Sequence, residues 1–269
     1  MTKTWVGIDA GGSGLKAVVR GPEGFRESRR FSADQADELE RWLAGLGADG
    51  VGTTGAGGAA WSERLGATEL PEFQAWADGA AAIAAEHDLP LEPSYLVVSV
   101  GTGTSVVLAG PQPAERAGGC ALGGGTLLGL GHLLLGTTDH NEIVRLAAEG
   151  DRRGVDLEIA ELYTEMPPGF TASNFGGVDT LAGAARSRAD LAHALVVMIG
   201  ENVSILCCAL AAAHGVRQIV FGGGTLRGNS AGWEIIERMA RVRGIEAFAL
   251  PEEEFPAAIG AALCAERAS

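Results

Sequence analysis

Residues 9–16 read Asp-Ala-Gly-Gly-Ser-Gly-Leu-Lys and join two apolar segments, Trp5–Ile8 and Ala17–Arg20. Both flanking segments have strand composition, so the stretch predicts a hairpin with a wide glycine tip. A strand follows and no Gly-Lys-Ser/Thr closes the loop, which excludes a Walker A loop and a Rossmann fingerprint. Free backbone N–H groups, a hydroxyl, a Lys and an Asp suit phosphate oxygens and hydrated Mg²⁺. A plain glycine turn with a solvated Lys16 is the alternative.

A second hairpin has the same chemistry about ninety residues later. Tyr95–Val100 is a nearly continuous apolar run, Gly101-Thr-Gly-Thr-Ser follows it, and Val106–Leu108 is the next strand. Two such loops can hold one polyphosphate from both sides. We therefore expect two related halves that face each other across a cleft, with their boundary near Leu108.

Strand and helix patterns alternate along the rest of the chain. In the first half, apolar spacing predicts helices over Ala33–Leu46 and Pro71–Glu86 and a strand over Gly50–Thr54. The second half is richer in helix, and its predicted elements are helices Thr137–Glu149, Leu157–Thr164, Thr180–Arg188, Leu191–His214 and Gly232–Arg243, a last helix from Pro256, and strands Gln218–Phe221 and Ile245–Leu250.

Composition narrows the class of protein further. The 269 residues are 46% apolar and 20% charged, which is ordinary for a folded protein. A net charge of −14 without a long basic run argues against nucleic acid and anionic membrane as partners. The four cysteines lack metal-ligand spacing, and the N-terminus lacks a signal peptide pattern, so we expect reduced thiols in a cytoplasmic protein.

A third glycine packet, Gly118–Gly125, precedes Thr126 and an apolar run. This order predicts a helix start whose free N–H groups face an anion. Close packing of a helix against glycines is the alternative.

These motifs occur in an order and spacing that resembles the type II pantothenate kinases. The matching stretches are Asp9–Lys16, Glu72–Gly79, Gly101–Ser105 and Arg116–Gly131. The resemblance implies an α/β, two-domain actin-like ATPase (ribonuclease H-like) fold with an interdomain nucleotide cleft. With the boundary near Leu108, the two domains are 1–108 and 109–269, and the last helix is able to pack back on the first domain.

The same resemblance implies an activity. The family transfers a phosphoryl group from MgATP to the primary hydroxyl of pantothenate, which is the first step of coenzyme A synthesis. The resemblance also implies a homodimer. Two other readings stay open: an actin-fold kinase or ATPase for an amino sugar or acyl substrate, and a nucleotide-binding regulator of the same fold without turnover.

Glu72 resembles the family's catalytic carboxylate, a general base for the attacking hydroxyl. The small residues Ala75 and Gly79 beside it are expected to leave room for substrate, and Glu69 is the fallback base. The alternative is that Glu72 has no catalytic role and is simply a residue that the helix dipole favours in the first turn of a helix. Arg116 resembles the Arg that pairs with the pantothenate carboxylate, a role suited to a guanidinium fork, although a solvated surface Arg next to Glu115 would look the same.

The resemblance also assigns nucleotide-binding positions, with Asp9 as a tentative Mg²⁺ ligand through water. The sequence departs from the family at Cys120-Ala121-Leu122 and at His140, where relatives can carry an aromatic residue. The implied ATP-binding positions are Asp9, Ala10, Gly11, Gly12, Ser13, Gly14, Leu15, Lys16, Thr102, Gly124, Gly125, Thr126, Leu127, Leu128, His140, Gly224 and Thr225.

Overall fold

The first half of the chain forms a five-stranded sheet. The computed structural model describes residues 3–12, 14–163, 165, 169–177, 186–251 and 254–269. The sheet has the order β3-β2-β1-β4-β5, with antiparallel pairing in the β1-β2-β3 meander and parallel pairing of β4 and β5. Its strands are β1 (Trp5–Gly11), β2 (Gly14–Gly21), β3 (Gly24–Phe31), β4 (Gly50–Thr54) and β5 (Thr68–Glu69).

A second five-stranded sheet repeats this plan. Its order is β12-β11-β6-β7-β8, again an antiparallel meander followed by two parallel strands. The prediction of two related halves is therefore confirmed. The remaining strands of the described chain are β6 (Tyr95–Val100), β7 (Thr104–Ala109), β8 (Glu115–Cys120), the separate pair β9 (Leu157–Glu158) and β10 (Thr171–Ser173), β11 (Gln218–Gly222) and β12 (Glu246–Ala249).

The expected boundary near Leu108 falls inside the second sheet. Strands β6 and β7 hydrogen-bond to β11 and β8, which come later in the chain, so the hairpin predicted for the first domain belongs to the second sheet. The pattern of strands showed a hairpin here but could not show which sheet it joins, because pairing is decided by residues more than a hundred positions away. We propose a division before β6, and we call the two halves the first and second lobes.

Helices connect the strands, and several start or end away from the predicted residues. The predicted helix 137–149 begins only at His140, because Asp139 accepts a hydrogen bond from Asn141 N and caps it. The predicted helix 157–164 is instead β9 and a four-residue helix, and 180–185 lie outside the described residues. The helices are α1 (Ala36–Leu46), α2 (Gly58–Leu65), α3 (Glu72–Glu86), α4 (Gly124–Leu135), α5 (His140–Glu149), α6 (Ile159–Leu162), α7 (Arg188–His214), α8 (Ser230–Val242) and α9 (Pro256–Ala268).

Helix α9 returns from the second sheet to the first and makes the molecule's tightest contacts. It packs against β1, β4 and α3. A Cβ on Gly7 or Gly52 would lie 1.9 or 2.0 Å from the Ala258 or Ala261 carbonyl oxygen. These glycines therefore set how closely helix and sheet approach.

The contact between α3 and α9 is equally close. A Cβ on Gly79 would lie 1.7 Å from Pro256 O, and one on Gly260 would lie 2.1 Å from Ala75 O. Ala75 and Gly79 therefore make room for α9. The expectation that their small face leaves space for substrate is wrong, because that face is fully covered by helix backbone.

Helix α7 is the core helix of the second lobe. It is long and apolar enough to cross a membrane by length and composition, and 67% of its most apolar window is buried inside the protein. Ser187 and Asp190 form a capping box at its start, and Gly215 ends it in the left-handed conformation with φ 68°. Its burial against α4, α5 and α8 accounts for its apolar character.

We expect Gly79→Ala to lower the free energy of unfolding by about 3 kcal/mol or more, because its Cβ would overlap the α9 backbone rather than a flexible side chain. Gly45→Ala is the matched control. It lies within α1 with nothing within 4 Å of the new Cβ, so it should be neutral or stabilising by up to about 1 kcal/mol. Urea unfolding measures both. Equal stability of the two variants would contradict the close α3–α9 contact.

Candidate active site

The first glycine loop is shorter than predicted. Strands β1 and β2 stay paired as far as Gly11 and Gly14, which leaves only two positions of the chain between the paired strands. Ser13 lies outside the described residues. Asp9 and Lys16 are cross-strand partners, and Lys16 Nζ lies 3.6 Å from Asp9 Oδ2. The pair thus lies in the two paired strands, close to the loop that joins them.

Ala10 and Leu15, which also belong to residues 9–16, point away from the cleft. Ala10 and Leu15 are buried among the apolar side chains that β1, β2 and β3 share with α1. Alternation along paired strands forces this, since Asp9 and Lys16 face the opposite side. Ala10 and Leu15 can offer a ligand only backbone groups.

Gly55 lies directly beside Asp9 in this site, and no individual role was predicted for it from the sequence. Its φ is 86°, and a Cβ there would lie 2.6 Å from Asp9 Oδ1. The residue before it, Thr54, pairs with Asp9 across β4 and β1, and its buried hydroxyl has no hydrogen-bond partner among the described residues. The signal was available: glycines 55, 57 and 58 follow a strand, like the other packets.

The two hairpin tips meet. A Cβ at Gly12 would lie 3.7 Å from Thr102 Oγ1, which places the first lobe's tip in contact distance of the second lobe's loop. The sequence predicted this juxtaposition from the repeated Gly/Thr chemistry alone. The cleft between the lobes is therefore lined by both loops.

Electrostatics link Glu72 to the first loop. Burial raises the pKa of the Asp9 carboxyl, and the nearby Lys16 ammonium opposes that rise. Partial desolvation also raises the pKa of Glu72, the Asp9 carboxylate raises it further, and Lys16 again opposes. Glu72 is the first residue of α3 and remains accessible to solvent. Glu72 is therefore a partly desolvated carboxyl that lies in the electrostatic field of the Asp9–Lys16 pair.

The start of α4 differs from its predicted role. Gly124 N donates to Gly101 O at 2.7 Å and Gly125 N donates to Thr102 O at 2.9 Å. The first two N–H groups of the helix therefore hold the second loop in place and are not free for an anion. Leu127 is buried in the second lobe's core and Leu128 packs against it, so their side chains have structural roles.

Thr225 connects the second loop to the glycines after β11. Its hydroxyl donates to Gly101 O at 2.9 Å, and its own carbonyl oxygen lies 3.3 Å from His140 Nε2. His140 Nδ1 is buried and has no partner in the described part of the chain. Gly101, Gly124, Thr225 and His140 are thus joined by a continuous set of contacts, and their predicted role in binding ATP stays a prediction.

Arg116 lies on the same side of the second sheet as α3. It pairs with Val107, whose side chain packs with Ala75 and Trp76 of that helix. Its guanidinium lies across Gly119, where a Cβ would be 3.1 Å from Nη2. Arg116 is exposed and forms no ion pair with any described residue. Arg116 therefore lies on the face of the second sheet that α3 covers, and its guanidinium is available to an anion.

The donor set fits Mg²⁺ better than a metal held by the protein alone. Across the ranges that the structure describes, no group of three His, Cys, Asp or Glu side chains forms a metal cage. Asp9 is a buried carboxylate next to the orphaned Thr54 hydroxyl, and Mg²⁺ is commonly held by one or two carboxylates plus phosphates. Asp9 is the residue that would hold it.

Two sheets of the same plan with glycine loops meeting across a cleft define the actin-like two-lobed class. The activator of the 2-hydroxyisocaproyl-CoA dehydratase from Clostridium difficile, solved with bound ADPNP, has this fold: it aligns with a TM-score of 0.68 at 19% identity, over 100% of this chain and 95% of that one.

Sequence comparison then gives the family. The Fumble family matches residues 73–264. Type II pantothenate kinase from Staphylococcus haemolyticus is 31% identical over 95% of this chain and 98% of the relative, and the Staphylococcus aureus enzyme is 31% identical over 95% and 97%. The chain belongs to the Fumble family and, within it, to the type II pantothenate kinases.

The opposed effects of Asp9 and Lys16 predict opposite shifts in the pKa of Glu72. Asp9→Asn should lower that pKa, because a charge that disfavours the carboxylate is lost, and Lys16→Met should raise it. Carbon-13 NMR titration of the Glu72 carboxyl, without ligands, measures both. Shifts of the same sign in the two variants, or none, would show that Glu72 lies outside the field of this pair.

Proposed function

We propose that this protein is a pantothenate kinase that phosphorylates pantothenate to 4'-phosphopantothenate with MgATP. The observation that carries the proposal is that the two glycine loops meet at Gly12 and Thr102, with Glu72 in the field of the Asp9–Lys16 pair and the exposed Arg116 on the α3 face of the second sheet. Together they provide a base for an alcohol, a cation for a carboxylate and a cradle for a polyphosphate. Relatives named type II pantothenate kinase over 95% of the chain support the same substrate.

The proposed reaction assigns one task to each part of the site. The backbone around Gly11, Gly12 and Thr102, with Lys16, holds the phosphates, and Thr225 and His140 stand on the adenosine side. Glu72 accepts the proton of the primary hydroxyl as its oxygen bonds to the γ-phosphorus and the bond to the β-phosphate oxygen breaks. Mg²⁺ bound near Asp9 would neutralise phosphate charge.

Arg116 is the proposed recognition element for the substrate. A guanidinium binds a carboxylate with two parallel hydrogen bonds, which fixes both position and orientation. Because Arg116 lies on the α3 face of the second sheet, a carboxylate bound there would lie on the same side of the sheet as the helix that begins with Glu72. An actin-fold kinase for an amino sugar would have no use for this cation.

A homodimer in the cytoplasm completes the proposal. Exposed apolar residues on two helices that pack together support it: Leu133 and Leu134 on α4 and Ile205 on α7 are 76%, 40% and 42% exposed. Most of the other apolar residues of α7 are buried in their own lobe. We expect sedimentation velocity at micromolar concentration to give a dimer that Ile205→Glu weakens; a monomeric wild type would refute it.

The decisive assay is release of ADP. We expect ADP from MgATP only when pantothenate is present, because the alcohol is the acceptor, and no turnover with EDTA in excess of Mg²⁺. Amino sugars at the same concentration are the control acceptors. Turnover with an amino sugar and none with pantothenate would refute the proposed substrate, and equal ADP release without any acceptor would indicate an ATPase.

Glu72→Gln tests the general base. The variant keeps the size of the side chain but accepts no proton, so kcat should fall by about 10² to 10⁴-fold while ATP binding survives on the separate loops. Steady-state kinetics and equilibrium ATP binding measure the two effects. Activity within about threefold of wild type would leave Glu72 as a helix-start residue and make Glu69 the next candidate.

Arg116→Lys tests the proposed substrate-binding residue and is compared with Glu72→Gln. It keeps the charge but loses the fork, so the KM for pantothenate should rise more than that for ATP, with kcat less affected than in Glu72→Gln. Unchanged pantothenate kinetics would place Arg116 outside the substrate site.

A further inference from the structure

A buried carboxylate joins the two lobes at a point that the proposed reaction does not use. Glu254 lies in the segment between β12 and α9, where the chain crosses from the second sheet back to the first. Its side chain is only 11% exposed. Buried carboxylates in proteins need partners, and those of Glu254 come from both lobes.

The partners are two arginines far apart in sequence. Arg30 on β3 places Nη1 3.0 Å from Glu254 Oε2, and Arg227 in the second lobe places Nη1 3.3 Å from Glu254 Oε1. We call Arg30, Glu254 and Arg227 the interlobe bridge. One carboxylate between two guanidiniums leaves the bridge with a net positive charge, so its arginines depend on a single anion for their position.

The bridge touches the adenosine-side loop directly. A Cβ on Gly224 would lie 2.9 Å from Glu254 Oε1, so the carboxylate rests against that glycine. Arg227 N donates to Gly224 O at 3.4 Å, and Arg227 Nη2 reaches Asn141 Oδ1 at 3.4 Å on α5. Thr225 follows Gly224 in the chain and His140 precedes Asn141, and these two residues are the ones that contact each other at the second phosphate loop.

From these contacts we propose that Glu254 is a positioning residue for the nucleotide: through Arg227 and Arg30 it holds the loop 222–225 against the first lobe. This inference rests on the proposed function, in that the loop is taken to hold the adenosine side of ATP. It predicts an effect on nucleotide affinity rather than on phosphoryl transfer, because the hydrogen bonds and ion pairs of the three residues within the described chain do not include Glu72 or Arg116.

Two variants separate positioning from simple charge. Glu254→Gln removes a negative charge near a bound polyanion, which by Coulomb's law alone would tighten ATP binding. Glu254→Asp keeps the charge but is one methylene shorter and cannot reach both arginines. Positioning therefore predicts weaker binding in both variants, whereas charge alone predicts tighter binding in the first and no change in the second.

Glu266→Gln is the control. Glu266 on α9 pairs with Arg20 on β2 at 2.6 Å, so it also joins the C-terminal helix to the first sheet, at a more exposed carboxylate (29% against 11% for Glu254) and away from the loop. Arg30→Lys is a fourth variant, which keeps the charge, lies at a half-exposed position, and carries the test if the Glu254 variants do not fold.

Calorimetric titration with Mg²⁺ and the non-hydrolysable analogue ADPNP measures the affinity. We expect Kd to rise roughly tenfold in Glu254→Gln and Glu254→Asp and to rise in Arg30→Lys, with Glu266→Gln within about twofold of wild type. In turnover, KM for ATP should rise while kcat and KM for pantothenate stay within about twofold. Bridge variants indistinguishable from Glu266→Gln, or tighter binding by Glu254→Gln alone, would overturn the proposal. Failure of the wild type to bind ADPNP would instead refute the proposed function.

Discussion

The close backbone contact between α9 and its neighbours is the constraint on which the rest of the structure depends. Four glycines allow it: Gly7 and Gly52 on the first sheet, Gly79 on α3 and Gly260 on α9 itself. With side chains at these positions the helices could not form a thin middle layer between the two sheets. That layer fixes the direction of α3, and the direction of α3 places Glu72 at the cleft.

The second loop is held by a different device. The carbonyl oxygens of Gly101 and Thr102 accept hydrogen bonds from the first N–H groups of α4, and Thr225 adds a side-chain donor. A helix start that would otherwise attract an anion is thus used to fix a loop. The second loop, the start of α4 and Thr225 after β11 are thus joined by hydrogen bonds in the second lobe, whereas the first lobe contributes the charged pair Asp9 and Lys16.

The sequence predicted most of the architecture because each predicted strand carried its own local signal. The repeated Gly/Thr chemistry predicted that the two loops lie together, and the resemblance pointed to Glu72 and Arg116. Sheet membership of β6 and β7, the partner of Gly79 and the interlobe bridge were not predictable, because each depends on contacts between residues more than a hundred positions apart. A glycine looks the same in sequence whether it faces a substrate or a helix backbone, and only the fold distinguishes the two.

The position of α9 has a consequence for how the protein is made on the ribosome. Chains that emerge N-terminus first often complete their first domain before the second is synthesised. Here the inner face of β1 and β4 is covered by the last helix, so the first lobe stays unfinished until residues 256–268 have left the exit tunnel. Until then the apolar face of β1 and β4 that this helix covers stays exposed.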